Sequence, residues 1–384
     1  MTKLKLYGIM TLLLFMGFMS CSKDPDVSKH SEDEQIIASV LNIPIQPYNY
    51  AAPDLPAHFK TGFVLAQKHP SFDNPISDWG ATLGRVLFYD RALSLDRTIS
   101  CASCHIQAFG FTDTARFSRG VNGLTKRHSM SLVNSAYYAS GRFFWDERAA
   151  RLEHQVLMPI QDQLEMNLTL DSMLSRLRNT KYYPILFKYA FGDDSISAHR
   201  VSKALSQFVR AIVSYRSKYD EGRSRVNKPT DDFPNFSSSE NLGKQIFFTH
   251  KLVNCSGCHL TDLMVLDNPR NNGLYTISQD SGIASHTKLD DDIGKFKSPS
   301  LRNVALRHRF MNDGSLIGLT SVIEHYDNNI QPNPHLDNHL KDPLTQIPHK
   351  MGLSPSEKQA LIDFLHTLTD DALIQDKKFS NPWK

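Results

Sequence analysis

Four of the five cysteines repeat one pattern: Cys101-Ala-Ser-Cys104-His105 and Cys255-Ser-Gly-Cys258-His259. Three chemistries use paired cysteines. Exported proteins close disulfides, but vicinal pairs about 150 residues apart, each trailed by histidine, are not a usual disulfide framework. Zinc ribbons also use two pairs, but place them roughly 15–20 residues apart. The third chemistry is covalent attachment of c-type haem. On a helical turn, positions i, i+3 and i+4 share a face. Cys101, Cys104 and His105 can then offer two thiols to the haem vinyl groups and an imidazole to the iron. Cys255, Cys258 and His259 can do the same. The pattern therefore predicts two haem c groups, with His105 and His259 as proximal iron ligands.

Positioning two such groups requires two comparable scaffolds, and the chain repeats itself accordingly. Leu83-Gly84-Arg85-Val86-Leu87-Phe88 precedes the first motif, and Leu242-Gly243-Lys244-Gln245-Ile246-Phe247 precedes the second. Apolar residues at i, i+4 and i+5 predict an amphipathic helix leading into each haem turn. Between the units, Val201, Leu205, Phe208, Ile212, Tyr215 and Tyr219 form one apolar stripe, read as a helix ending near Asp220-Glu221-Gly222. Turn-forming residues 227–234 follow and suggest a boundary. Ser354-Pro355-Ser356-Glu357 has the cap, proline and glutamate of a helix start, and Leu361, Leu365 and Leu368 line its face. No alternating run argues for a sheet. The expected fold is mainly α, with two tandem cytochrome c-like haem domains.

Composition limits the rest. The chain has 384 residues, 40% hydrophobic and 22% charged, which is globular. Lys3, Lys5 and the apolar run from Leu6 to Met19 read as a signal peptide over residues 1–20. Ser20-Cys21 resembles a lipoprotein cleavage site, with Cys21 as the lipid anchor. Residues 21–55, polar and then Pro/Tyr-rich, read as a lipid-anchored tether, which places the protein in the cell envelope, in the periplasm. Without Lys3 and Lys5 the formal charge falls from +3 to +1, which gives no electrostatic case for nucleic acid. The only membrane contact expected is through the anchor.

From about residue 75 to residue 370 the chain resembles the bacterial dihaem cytochrome c peroxidase family, including its branch that oxidises protein side chains. The resemblance is carried by the two haem motifs, Phe109-Gly110-Phe111, residues 127–134, Phe144-Trp145-Asp146-Glu147-Arg148-Ala149, Glu165-Met166 and residues 297–304. It implies a peroxidatic domain over residues 56–228 and an electron-transfer domain over residues 229–384. It implies that Glu165 is the distal acid–base group at the N-terminal haem and that Trp145 lies between the haems. Tyr326 falls where the peroxidases carry an axial methionine on the C-terminal haem. Tyrosine there is similar to the side-chain-oxidising branch. His325, one residue away, is the alternative ligand, and a haem ligated by neither is the third possibility.

Two departures matter. Where activation-dependent peroxidases carry a ligating loop histidine, this chain has Val121, so the N-terminal iron is expected to be open as made. Where relatives hold an interdomain calcium ion, His128 replaces an asparagine and Leu306-Arg307-His308-Arg309-Phe310 adds positive charge, so calcium is not expected. The leading functional expectation is reduction of hydrogen peroxide to water with electrons from a small donor protein, a c-type cytochrome or cupredoxin. The second is peroxide-driven oxidation of a protein partner. A dihaem electron carrier without catalysis is the third.

Overall fold

The computed structural model describes residues 25–384, apart from Pro70, Phe72 and Asp267. Two helix pairs organise the chain. The Asp78–Tyr89 helix starts at Ser77, whose hydroxyl accepts from the Gly80 N–H, and buries Leu83, Val86, Leu87 and Phe88. It meets the Ala198–Ala211 helix at Gly84, where a Cβ would lie 2.0 Å from the Ala204 carbonyl oxygen. The Ser238–Thr249 helix starts with a Ser237–Glu240 capping box. It meets the Pro355–His366 helix at Gly243, where a Cβ would lie 1.8 Å from the Ala360 carbonyl oxygen. The repeated Leu-Gly string is therefore a repeated helix crossing, in which glycine lets two backbones touch. The copies have diverged in one respect: Leu83 is 0% exposed, and its counterpart Leu242 is 40% exposed.

This close approach makes a prediction. Gly84→Ala or Gly243→Ala must push a helix pair apart, at a cost of about 1–3 kcal/mol for overpacking. The thermal midpoint of each holoprotein variant should fall. Gly62→Ala is the control, because nothing lies within 4 Å of a Cβ built there. Equal midpoints for all three variants would contradict the crossing geometry.

One core gathers around Leu87, Phe88 and Phe208, and a second around Phe247, Phe364 and Leu365. A smaller group with Phe59, Tyr137, Tyr138, Val213 and Leu263 joins the halves. At this joint the buried Arg302 donates to both Asp220 carboxylate oxygens, at 2.7 and 2.9 Å, and His58 Nε2 lies 2.9 Å from Oδ1. Burial alone would raise the Asp220 carboxyl, but Arg302 and the hydrogen bonds from His58 and Ser217 hold it well below the usual range. The architecture is mainly α, as expected. The strands named among the described residues are a two-residue antiparallel pair, Arg309–Phe310 with Leu316–Ile317.

Three expected boundaries change. The apolar stripe does not form one helix: the first helix ends at Ala211 and another runs Lys218–Arg223. Between them, Asn134 Oδ1 accepts from the Ser214 N–H, and Asp370 Oδ2 accepts from the Tyr215 and Arg216 N–H groups. Ser217 and Asp220 then restart the helix with a capping box. Tyr219 already belongs to the second core, so the halves part within residues 212–217 and not after residue 228. The segment read as a tether instead contains the Pro25–Val40 helix and places Ile37, Leu41 and Tyr50 in the first core. Apolar side chains at these positions fix it to the N-terminal half. The expected signal peptide and Cys21 lie outside the described residues. Finally, the chain's last segment returns to the first unit. Leu373 and Phe379 enter that core, Phe379 packs on Phe111 and Phe208, and Trp383 Nε1 donates to the Val86 carbonyl at 3.2 Å. Among the described residues no helix is long and apolar enough to cross a membrane.

Candidate active site

The first cysteine pair sits on a single helical turn, Cys101–Cys104, started by a Ser100–Ser103 capping box. His105 leaves this turn with its Nδ1–H donating to the Phe111 carbonyl at 3.1 Å. Phe111 offers that carbonyl from a left-handed backbone conformation, φ 58°. Ser129 donates to the Cys104 carbonyl at 2.6 Å and lies 3.2 Å from His105 Nδ1. The second site repeats the device. Cys255–Gly257 forms a tight turn, the His259 N–H reaches the Cys255 carbonyl at 2.8 Å, and His259 Nδ1–H donates to the Pro299 carbonyl at 3.1 Å. Fixing Nδ1 in this way orients the ring and leaves Nε2 as the ligating atom. Burial lowers both imidazoles, His259 to about 4, so the neutral form needed for ligation dominates.

The donor set suits haem c better than zinc. None of the four cysteines is in a disulfide, and the pairs pack into different cores. Burial pushes Cys101 and Cys255 up to about 12, which keeps them as thiols. Among the described residues no group of three His, Cys, Asp or Glu is placed to hold a metal ion. A cavity of about 1290 Å³ runs along Cys104 and His105, past Trp145 and Glu165, to Lys297 and Pro299 of the C-terminal half. A smaller space of about 70 Å³ adjoins it at Cys101, Leu205 and Val209. A macrocycle can enter such a space beside the two thiols.

Glu165 lines the same cavity as His105. It does not stand on a helix face but on a turn after the Met158–Gln161 helix. Burial, helped by the Asp162 charge and opposed by Arg148, raises its carboxyl to about 7. The Glu165 backbone is clamped: its carbonyl accepts from the Val121 N–H at 2.7 Å, and a Cβ on Gly120 would lie 1.9 Å from the Leu164 carbonyl oxygen. The loop that carries a histidine in activation-dependent peroxidases is thus packed against the Glu165 turn and presents Val121. His128 is held elsewhere, with Nδ1 at 3.1 and 3.2 Å from the Ala115 and Arg116 carbonyls. The expected result is that fully ferric holoprotein reacts with peroxide without prior half-reduction. A purely low-spin ferric spectrum with no peroxide response until reduction would refute this.

Trp145 lines the cavity between the halves, and its Nε1–H donates to the His128 carbonyl at 2.8 Å. Its carbonyl accepts from the Lys297 N–H at 2.8 Å, which ties it to the C-terminal half. The adjacent Asp146 binds Arg127 at 2.6 Å and Arg148 at 2.9 Å, and Arg127 also binds Asp280 at 2.7 Å. These pairs fix the tryptophan's segment across the boundary.

At the second Cys-x-x-Cys-His motif, Tyr326 and His325 both engage Asn272, through different atoms. Burial pushes the Tyr326 phenol well above its usual range, an Asn272 hydrogen bond opposes the rise, and the nearby Cys258 and Cys255 thiols add to it. His325 is buried with Nε2 donating to the Asn272 carbonyl at 3.0 Å. The phenol thus lies near enough to the cysteine pair to feel its charge while bonding Asn272, and the imidazole is engaged by the Asn272 carbonyl.

The description of the family named Di-haem cytochrome c peroxidase matches residues 79–227. The methylamine utilization protein MauG of Methylophilus methylotrophus is 32% identical over 302 residues, which is 78% of this chain and 85% of that protein. The chain belongs to the di-haem cytochrome c peroxidase family. Cytochrome c551 peroxidase of Nitrosomonas europaea is 28% identical over 296 residues, covering 76% of this chain and 80% of that protein. The crystal structure of a MauG-like protein associated with microbial copper homeostasis matches with a TM-score of 0.71 at 31% identity, covering 88% of this chain and all of the other. Within this dihaem family, two tandem cytochrome c-like units and oxidoreductase chemistry are the shared ground.

Sequence reasoning missed the groups that aim the two histidines. Phe111 and Pro299 lie inside motifs quoted for the resemblance, but their role is carried by backbone carbonyls, which side-chain identity does not announce. The Gly110-Phe111 turn was the available signal: Gly110 has φ 67° and Phe111 follows in the same left-handed region.

Proposed function

We propose that this chain reduces hydrogen peroxide at its N-terminal haem site and draws the electrons from a protein partner. The observation that carries the reading is Glu165, a half-buried carboxyl that lines the same cavity as His105 and is raised to about 7. Cys101, Cys104 and His105 would hold one haem c, and Cys255, Cys258 and His259 the other. The bound haem iron supplies the redox centre that takes the oxidising equivalents of peroxide. Glu165 accepts the proton of the near peroxide oxygen and returns it to the departing one, so that two electrons and two further protons give two waters. Val121, on the loop packed against the Glu165 turn, has no atom that could ligate the iron. Trp145, fixed by its bonds to His128 and Lys297, bridges the gap between the two haem sites for the electrons. Arg307 places a half-buried cation near His128 and His259; calcium is therefore not part of the proposal, and tight calcium in dialysed protein would contradict it.

In the first form of this reading the partner is a small donor protein, a c-type cytochrome or cupredoxin. Tyr326, near the C-terminal cysteine pair, favours a second form, in which the partner is itself the substrate and one of its side chains is oxidised. Phenolate ligation lowers a haem potential and makes reduction by a donor harder. Placement in the periplasm through a lipid on Cys21 belongs to the same proposal.

Stopped-flow mixing tests these readings. Ferric holoprotein is mixed with peroxide and then with a reduced donor cytochrome. Rapid donor oxidation supports the first form. A long-lived oxidised state with poor donor turnover supports the second. Unchanged haem bands would leave a dihaem electron carrier and end both.

A further inference from the structure

A second group of buried titratable side chains lies beside Trp145, and the chemistry above does not use it. The Tyr138 hydroxyl donates to a Glu147 carboxylate oxygen. Lys297 Nζ stands 3.4 Å from the Tyr138 ring centroid and 4.9 Å from that of Phe143, and donates to the Arg142 carbonyl at 3.2 Å. Tyr138 is 1% exposed, and Glu147 and Lys297 are each 7% exposed. Tyr138, Trp145 and Lys297 all line the large cavity. Glu147 is two residues from Trp145, and the Lys297 N–H is bonded to the Trp145 carbonyl.

This group is costly to maintain. Glu147 has φ 57°, a left-handed conformation that is strained for a non-glycine residue. Glycine would occupy the position without strain, and the buried carboxylate and ammonium both carry desolvation costs. Burial raises the Glu147 carboxyl and lowers Lys297 to about 7. A phenol in contact with a carboxylate of raised proton affinity is arranged to lose a proton and an electron together.

We propose that Tyr138 is a redox-active residue that gives one electron, by way of Trp145, to a peroxide-oxidised haem and gives its phenolic proton to Glu147. The inference rests on the peroxide reading above. The step balances: the phenolic O–H bond breaks, Glu147 becomes a carboxylic acid, and the oxidised haem gains one electron. A neutral tyrosyl radical remains, and an electron from the partner with the proton from Glu147 restores the phenol. Lys297 holds the ring and balances the carboxylate charge when the proton is back on the phenol.

The test uses holoprotein made with ring-deuterated tyrosine, mixed with one equivalent of peroxide, frozen within milliseconds and read by electron paramagnetic resonance. The expected result is a radical signal that narrows on deuteration, is absent in Tyr138→Phe, and falls about ten-fold or more in Glu147→Gln. Glu147→Gly, which relieves the backbone, should lose the signal equally, and its haem bands and thermal midpoint are checked beside it. Haem absorption is followed in the same samples. Haem bands that shift with peroxide but no tyrosine-derived signal, or a signal unchanged in Tyr138→Phe, would overturn this inference and leave the peroxide reading intact. Haem bands that never shift would overturn both.

Discussion

Glu165→Gln is expected to slow peroxide-driven oxidation of the ferric protein by about 10²–10⁴-fold, the usual worth of a positioned acid–base group. Haem content should not change, because the cysteines and histidines that attach haem are on other segments. Glutamine keeps the size and polarity of the side chain but cannot take the proton. The pH dependence gives a sharper test. Burial favours the neutral carboxyl and raises Glu165 to about 7, so the proton-accepting carboxylate is depleted below that pH. The native rate should rise about ten-fold per pH unit in the acid range and level off above pH 7. The glutamine variant should show no inflection there. A native profile that is flat from pH 5 to 8, or a variant that retains the inflection, would remove Glu165 from the mechanism.

Tyr326→Met is expected to raise the potential of the C-terminal haem by some hundreds of millivolts, a large part of the roughly 0.8 V that axial ligands control. A phenolate stabilises ferric iron, and a thioether stabilises ferrous iron. The structure adds a constraint: burial pushes the Tyr326 phenol up, so only a strong positive partner such as ferric iron can hold it deprotonated. His325→Ala should leave the potential nearly unchanged, because that ring is committed to the Asn272 carbonyl. Spectroelectrochemical titration of both variants decides the matter. A shift on changing His325 and none on changing Tyr326 would reverse the assignment. With the potential raised, Tyr326→Met should also accept electrons from a donor cytochrome faster than the native protein.

Much of this was legible in the residues because it depends on local spacing. The Cys-x-x-Cys-His turns, the Ser354 cap and the amphipathic helix of the Leu-Gly repeat need only a few neighbouring positions, whereas the crossing at its glycines shows only in the structure. What the sequence concealed depends on distant partners. The stripe from Val201 to Tyr219 keeps helical spacing, yet Asn134 and Asp370 take the backbone N–H groups at 214–216 and break the helix. Nothing within residues 201–219 names those partners. Glu165 stood out only through the resemblance, because its surroundings come from a loop more than 40 residues earlier, clamped at Gly120 and Val121. The Tyr138–Glu147 contact was hidden for another reason: Glu147 reaches it from a backbone conformation that composition gives no reason to expect.

The return of Leu373, Phe379 and Trp383 to the first core sets an order of assembly. Synthesis delivers Cys101 and Cys104 long before the residues that finish their wall. The first porphyrin can therefore be attached to an open scaffold, and the N-terminal half closes over it only after the second attachment site has been made. A gene cut between the halves would yield an unsealed first half, which should not be expected to mature as an independent fragment.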